Sequence, residues 1–357
     1  MVIKVMTRNL YFGASAARLK VSSLPDVPAR VADMWQMILA NDFPARAKAL
    51  ANEIAVKQPH LVGLQEATLL RVRSPGLFLK SSCRHIMSPN KLLQCHGLLM
   101  YLLFRRNKRI ATTVACDFLD ILLGELRSRG LRYTPAAVWT GTDIEAPSAT
   151  GDDVRLTDRT VIIARSDLPP GELTLSNPQT KDFTSTFLPL IGGLLTMPIR
   201  HGWASVDVTI RDRSFRFLAT HLDADSPAIQ AAQARELLRG PCQTELPLVL
   251  VGDFNSKAVR SGEGTYDHLI AGGYVDAWTV AGSGDGFTAW QDENLLNPVS
   301  RLDRRIDLIL YRGGFQVQGV EVVGAEPDDR IPEGLSPSGR LWPSDHAGVV
   351  ATLRPPP

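Results

Sequence analysis

The sequence predicts an α/β protein in which two packed sheets are covered by helices. Two patterns carry this expectation. Strand-like apolar runs outnumber helical ones, and several strands follow one another directly, unlike the strict alternation of a doubly wound sheet. Composition agrees: 357 residues at 44% hydrophobic and 21% charged fit one large globular domain or two ordinary ones. No linker rich in Pro, Gly or Ser divides the chain, so a single domain over residues 1–357 is expected.

Residues 2–9 (VIKVMTRN) read as the first strand. A helical stretch follows near 28–57. In its second part Asp42 stands as an N-cap, Pro44 falls in the first turn, and Ala47, Leu50, Ala51 and Ile54 form an apolar stripe. Residues 59–67 (PHLVGLQEA) are a second strand, and 116–133 an amphipathic helix stopped by Gly130. Strands are expected at 136–140, 154–166, 202–212 and 214–222. Residues 226–240 predict a helix with Ser226 as N-cap, Pro227 just inside and Gly240 just past the end. The remaining expectations are a strand at 247–252, a short helix near 264–271, and strands at 274–278, 304–312, 315–323 and 346–353.

Net charge is +2, but its distribution is uneven. Residues 71–110 hold nine basic residues and no Asp or Glu, which leaves thirty basic and thirty-seven acidic residues, a net of −7, over the rest. A mildly acidic body argues against indiscriminate nucleic-acid binding, though not against a nuclease whose metal ions neutralise charge. Four cysteines are too few for a disulfide scaffold in a chain of this length. The start, MVIKVMTRNLYFGA, lacks the basic region and long apolar core of a signal peptide. The longest dense apolar run, GLLMYLLF at 97–104, is too short to span a bilayer. A cytoplasmic monomer is the expectation.

Several apolar strands end in polar groups. The first delivers Asn9, LVGLQE delivers Glu66, FRFLATHL delivers His221, and LVLVGDFN delivers Asp253 and Asn255. The period of two along a strand places Asp253 and Asn255 on one face. By itself Gly-Asp-x-Asn also reads as an ordinary turn. Asp307 lies between Ile306 and Leu308 in an otherwise buried run, so it needs a charged or hydrogen-bonding partner, for which a histidine is suited. Asp345 and His346 open the last strand.

This ordered set, with Gln65-Glu66, Thr220-His221, Gly252-Asp253-Phe254-Asn255, Arg305-Ile306-Asp307 and Ser344-Asp345-His346, resembles the endonuclease/exonuclease/phosphatase superfamily over residues 3–353. That group includes deoxyribonucleases, abasic-site endonucleases, sphingomyelinases and inositol-polyphosphate phosphatases. The resemblance implies a four-layer α/β/β/α sandwich of two mostly antiparallel sheets flanked by helices, and metal-dependent cleavage of phosphate esters. It further implies Mg²⁺ or Mn²⁺ held chiefly by Glu66, assisted by Asn9 and Asp345, in keeping with the oxygen ligands hard cations take. Asp253 would orient or deprotonate the attacking water, and Asn255 would help hold phosphate or water. His346, paired with Asp307, would contact a phosphate oxygen, and His221 would stabilise the pentacovalent state or leaving group. The substrate is a phosphate ester of unresolved class. The alternative is a non-catalytic member that binds phosphorylated ligands or a protein partner.

Residues 73–110 depart from the family pattern, being basic and apolar. The composition admits a substrate-facing insertion, a zinc site or a poorly ordered stretch foreign to its surroundings. Cys83, His85, Cys95 and His96 match no common zinc spacing.

Overall fold

The computed structural model describes residues 2–15, 18, 24–73, 110–188, 190–191, 195–196, 198–262 and 264–356. β1 (Ile3–Asn9) lies inside the first sheet, parallel to β2 (Leu61–Gln65) and antiparallel to β16 (Gly348–Arg354). β15 (Gln316–Val323) extends the sheet beyond β16. On the other side β6 (Asp153–Arg165) pairs with β2, with β3 (Leu69–Arg73) and with the long β5 (Tyr133–Pro147), and β4 (Thr113–Asp117) pairs with β3.

The second sheet runs in the order β13 (Val275–Asp276), β14 (Asp307–Arg312), β12 (Leu248–Asp253), β11 (Arg213–His221), β10 (Gly202–Ile210) and β7 (Leu173–Asp182). Here too one pair, β11 with β12, is parallel. β8 (Leu190–Ile191) and β9 (Leu195–Thr196) form a small separate ladder. Each sheet is therefore mixed, mostly antiparallel, with one parallel pair among its described strands.

Side-chain alternation stacks these sheets. Val249 and Val251 of β12 meet Val5 of β1, Leu61 of β2 and Ile309 of β14 in the core between the sheets. Leu248 and Leu250 point the other way, onto α4 (Pro227–Arg239) and α5 (Thr265–Ala271), through Leu237 and Leu269. Burial on both faces explains why LVLV reads as an unbroken apolar run. On the first sheet Met6, Leu64 and Ile163 face α1 (Val27–Ala40), α2 (Phe43–Lys57) and α3 (Phe118–Ser128). The layers are thus helix, sheet, sheet, helix, with the short α6 (Ala277–Ala281) leading off β13. The sheets approach closely at Gly63, where a Cβ would lie 2.6 Å from Val251 Cγ2.

Most expected elements are present with shifted ends. The stretch near 28–57 is two helices, and Asp42 caps the second by accepting from Ala45 N at 3.2 Å. Ala47, Leu50, Ala51 and Ile54 are fully buried. The helix expected over 116–133 begins at Phe118, because Cys116 and Asp117 belong to β4 and Asp117 caps the helix. The strand expected at 274–278 is only β13, since Asp276 caps α6. β14 starts at Asp307 rather than at 304. β3, β4 and β7 were not expected. β7 is a largely exposed edge strand with Pro178, so it lacks the apolar signature.

The compositionally distinct stretch, with Cys83, His85, Cys95 and His96, lies outside the described residues, as 74–109. Its flanks are paired neighbours, from Leu69 opposite Asp117 to Val72 opposite Thr113. Among the described residues no helix is long and apolar enough to cross a membrane.

Candidate active site

The two parallel pairs end beside each other, and their C-terminal ends carry the polar residues. On the first sheet Asn9 of β1 lies opposite Gln65 of β2, and Glu66 follows at once. On the second sheet His221, Asp253 and Asp307 stand in register across β11, β12 and β14. The 344–346 segment enters the same place just before β16. Its Ser344 Oγ donates to Asn9 O at 2.9 Å.

The expected period-two geometry does not hold at Asp253 and Asn255. The strand ends at Asp253, and Asn255 has a left-handed φ of +50°. Asn255 N donates to Asp253 Oδ1 at 2.8 Å, which closes a tight Asx turn. That turn aims Asn255 Nδ2 sideways at His221 Nε2 (3.1 Å) and Leu222 O (3.0 Å). Glu66 follows the same plan: φ is +53° immediately after β2, and its carboxylate accepts from Asn9 Nδ2 (3.1 Å) and Phe12 N (2.8 Å). Both polar groups are delivered by the turn after the strand.

Asp253 sits at the centre. Its Oδ2 accepts from Asn9 Nδ2 at 3.0 Å and lies 3.6 Å from His221 Nε2 and 3.8 Å from His346 Nε2. Asp307 has the histidine partner its burial demands, with Oδ2 2.8 Å from His346 Nδ1. The backbone amides of Ile306 and Asp307 both reach Thr288 Oγ1 at 3.1 Å, which fixes the start of β14. Glu66, His221, Asp253, Asn255, Asp345 and His346 line one cavity of about 540 Å³, with Asn9 and Asp307 packed behind them. The structure thus brings all eight expected residues together.

Two buried arginines hold the loops. Arg8 pairs with Glu53 at 2.9 Å and also donates to His346 O. Arg46 donates to the carbonyls of Leu10, Tyr11, Asn41 and Pro343, stitching the turn after β1 to the 343–346 segment.

Comparison with known proteins agrees with this geometry. The profile of the Endonuclease/Exonuclease/phosphatase family matches residues 36–346. The chain belongs to that family. Among solved structures it is similar to a family protein from Bacteroides thetaiotaomicron (TM-score 0.56, 15% identity, covering 99% of this chain and 97% of that one). It also resembles the Bacteroides thetaiotaomicron mannosyl-6-phosphatase (TM-score 0.54, 16% identity, 99% of each chain). A third is D. rerio TDP2 complexed with a single-strand DNA product (TM-score 0.50, 14% identity, 99% of each chain). A search of curated proteins finds no significant match. At these identities the structures share a fold and do not select a substrate.

As in any crowded acidic site, the charges of this family member interact strongly. Asp345 is pushed up to about 7 by burial, with Glu66 and Asp253 adding and His346 and Arg46 opposing. Burial also raises Asp307, against the pull of His346. Burial disfavours the charged form of His346, but Asp307, Asp345 and Asp253 outweigh that and lift its pKa to about 10. Trp290 Nε1 meanwhile donates to His346 Nε2 at 3.0 Å, which requires that nitrogen to be bare. The contact fits only the neutral tautomer with Nδ1–H on Asp307, a form that the raised pKa confines to alkaline pH; in the protonated ring that prevails at neutral pH, Nε2 carries a proton to donate and cannot accept from Trp290.

The donor set suits a hard divalent cation, because Glu66 and Asp345 are cavity-lining carboxylates whose mutual repulsion a cation would relieve. Asn9, expected to assist as a ligand, instead stands beside this set as a hydrogen-bond donor: its amide NH₂ bridges Glu66 and Asp253, and its Oδ1 accepts from Tyr11 N at 2.8 Å. Asp253, Asp307 and His346 form a second group, their ligand atoms within 4.8 Å of one another. Using Nδ1 there would sacrifice the His346–Asp307 bond.

Among the cavity residues that the sequence did not single out, three stand next to the expected set. Asp158 lies inside β6 and is pushed up to about 6 by burial and by Glu66, against His221. His201 precedes β10, its ring centroid 5.1 Å from that of His221. Trp290 is 42% exposed and stacks under Arg304 at 4.4 Å. None ends a strand of the expected kind, which was the signal in use. Only the Thr-Asp-Arg break in the apolar rhythm of β6 could have pointed to Asp158.

Proposed function

We propose that the chain is a divalent-metal-dependent phosphoesterase, a single catalytic domain that hydrolyses a phosphodiester or phosphomonoester by in-line attack of water. The observation that supports this best is Asp253 Oδ2, braced by Asn9 and flanked within 4 Å by the Nε2 atoms of two histidines. A carboxylate so placed orients a water and takes its proton as attack proceeds. Asn255 steadies the phosphate or the water beside it. His346, held by Asp307, presents Nε2 to a phosphoryl oxygen, and in its protonated form it offsets the charge that grows there. His221, 3.6 Å from Asp253 on the adjacent strand, stabilises the pentacovalent state or the leaving group. A Mg²⁺ or Mn²⁺ ion held by Glu66 and Asp345 would supply Lewis-acid polarisation of the phosphoryl group. Asn9 keeps Glu66 and Asp253 at a fixed separation.

The test is hydrolysis of bis-p-nitrophenyl phosphate, which is expected with Mg²⁺ and lost with EDTA. Asp253→Ala and His346→Ala should each keep the fold and lower kcat by roughly 10²–10⁴. Near-wild-type turnover in either variant would overturn the roles assigned. No metal-dependent release from this ester, nor from nucleic-acid, sphingomyelin or phosphoinositide substrates, would leave a binder of phosphorylated ligands instead.

A further inference from the structure

The cavity that holds Asp253 and His346 is larger than a phosphate needs, and its remainder has a different chemistry. Along α1 the residues Val31, Met34, Trp35 and Ile38 fall at positions i, i+3, i+4 and i+7, one stripe of the helix. Met34, Trp35 and Ile38 are 7–8% exposed and line the cavity. Facing them are Ile144 of β5 and Val154 and Leu156 of β6, with Ile144 opposite Leu156 in the ladder. None of these seven carries a charge, and only the Trp35 indole can donate a hydrogen bond.

We infer that this apolar arm binds an aliphatic chain, so that the substrate is a phosphoester of a single-chain amphiphile whose phosphate sits at Asp253 and His346. The inference rests on the phosphoesterase reading and adds the substrate class. Continuity carries it: the polar end and the apolar arm are one cavity of about 540 Å³, within the range of pockets that enclose a small ligand. A sugar substituent would leave its hydroxyls unpaired along Met34, Ile38, Ile144 and Leu156. A polyanion would bring further phosphates against Asp158 and Asp223, which line the same cavity. A hydrocarbon chain meets neither penalty and gains from burial.

The experiment compares methyl and octyl p-nitrophenyl phosphodiesters, both monomeric, with the full chain and Mg²⁺. Each buried methylene favours binding, so kcat/KM is expected to rise roughly tenfold or more from methyl to octyl. In Ile144→Asp this octyl-to-methyl ratio should fall by roughly fivefold or more. In Ile144→Trp, which fills the arm without adding charge, the preference should move to shorter chains. Folding of both variants is checked by circular dichroism. Equal kcat/KM for the two esters in the parent protein overturns the inference while the phosphoesterase reading stands. If neither ester is cleaved, calorimetric titration with octylphosphonate and methylphosphonate decides the arm, and the phosphoesterase reading is judged separately on the wider substrate set above. Octyl binding tighter by roughly tenfold supports the arm, and equal or absent binding overturns it.

Discussion

His201 is buried beside His221, and among the described residues its Nδ1 has no hydrogen-bond partner. Burial, and then the neighbouring His221, hold its pKa down to about 3, against 6.5 in a free histidine. The unfolded chain therefore takes up this proton near pH 6.5, whereas the folded chain resists until about 3. Stability is unaffected above pH 6.5 and is lost as pH falls through that window, at up to about 1.4 kcal/mol per unit. Asp158 and Asp345, whose pKa values are raised, work in the opposite direction, so the parent curve alone does not isolate His201. Urea midpoints of the parent and of His201→Gln between pH 7 and 4 do isolate it. The variant should lose less stability on acidification, and parallel curves would show that His201 is not the titrating group. At this scale the sequence speaks for residues whose burial makes a demand. Asp307, set between Ile306 and Leu308, required a partner, and His346 provides it. His201 makes no such demand in the sequence, because a neutral imidazole can be buried in an ordinary core.

Gly252 shows how an element's backbone sets the site. A Cβ there would lie 2.1 Å from Thr220 O on the adjacent β11, at a φ of +155°. The parallel pair holds its register only with glycine at this point, one residue before His221 and Asp253 stand opposite each other. Gly252→Ala should therefore cost about 2–3 kcal/mol in urea unfolding and reduce turnover with it, since β12 must move away from β11. Unchanged stability would mean that the strands separate without penalty. Strands such as β12 were legible because burial on both faces leaves a continuous apolar run. The caps of α2 and α4 were legible because Asp42 and Ser226 satisfy backbone amides locally. β7 and β4 were not, since an edge strand needs little apolar patterning. The placement of Asn255 was expected for the wrong reason: a left-handed turn, which one side-chain period cannot reveal, aims its amide at His221.

At the scale of the molecule, the site exists because two mixed sheets bring the ends of their parallel pairs together, an arrangement built among the described residues from strands on either side of 74–109. β3 and β4 are already antiparallel neighbours up to Val72 opposite Thr113, so a short turn can join them. Closing a loop of n residues costs about 1.5RT ln n, so cutting these 36 residues to four lowers that cost by about 2 kcal/mol. A chain with 74–109 replaced by Gly-Asn-Gly-Ser should fold with a melting temperature at or above that of the parent. Its Mg²⁺-dependent hydrolysis of bis-p-nitrophenyl phosphate should persist, because Glu66, His221, Asp253, Asp345 and His346 lie outside the excised stretch and bond to one another and to further described residues. A clearly lower melting temperature would show that the excised residues pack against the sandwich. Retained stability with lost turnover would place them in the work of the site.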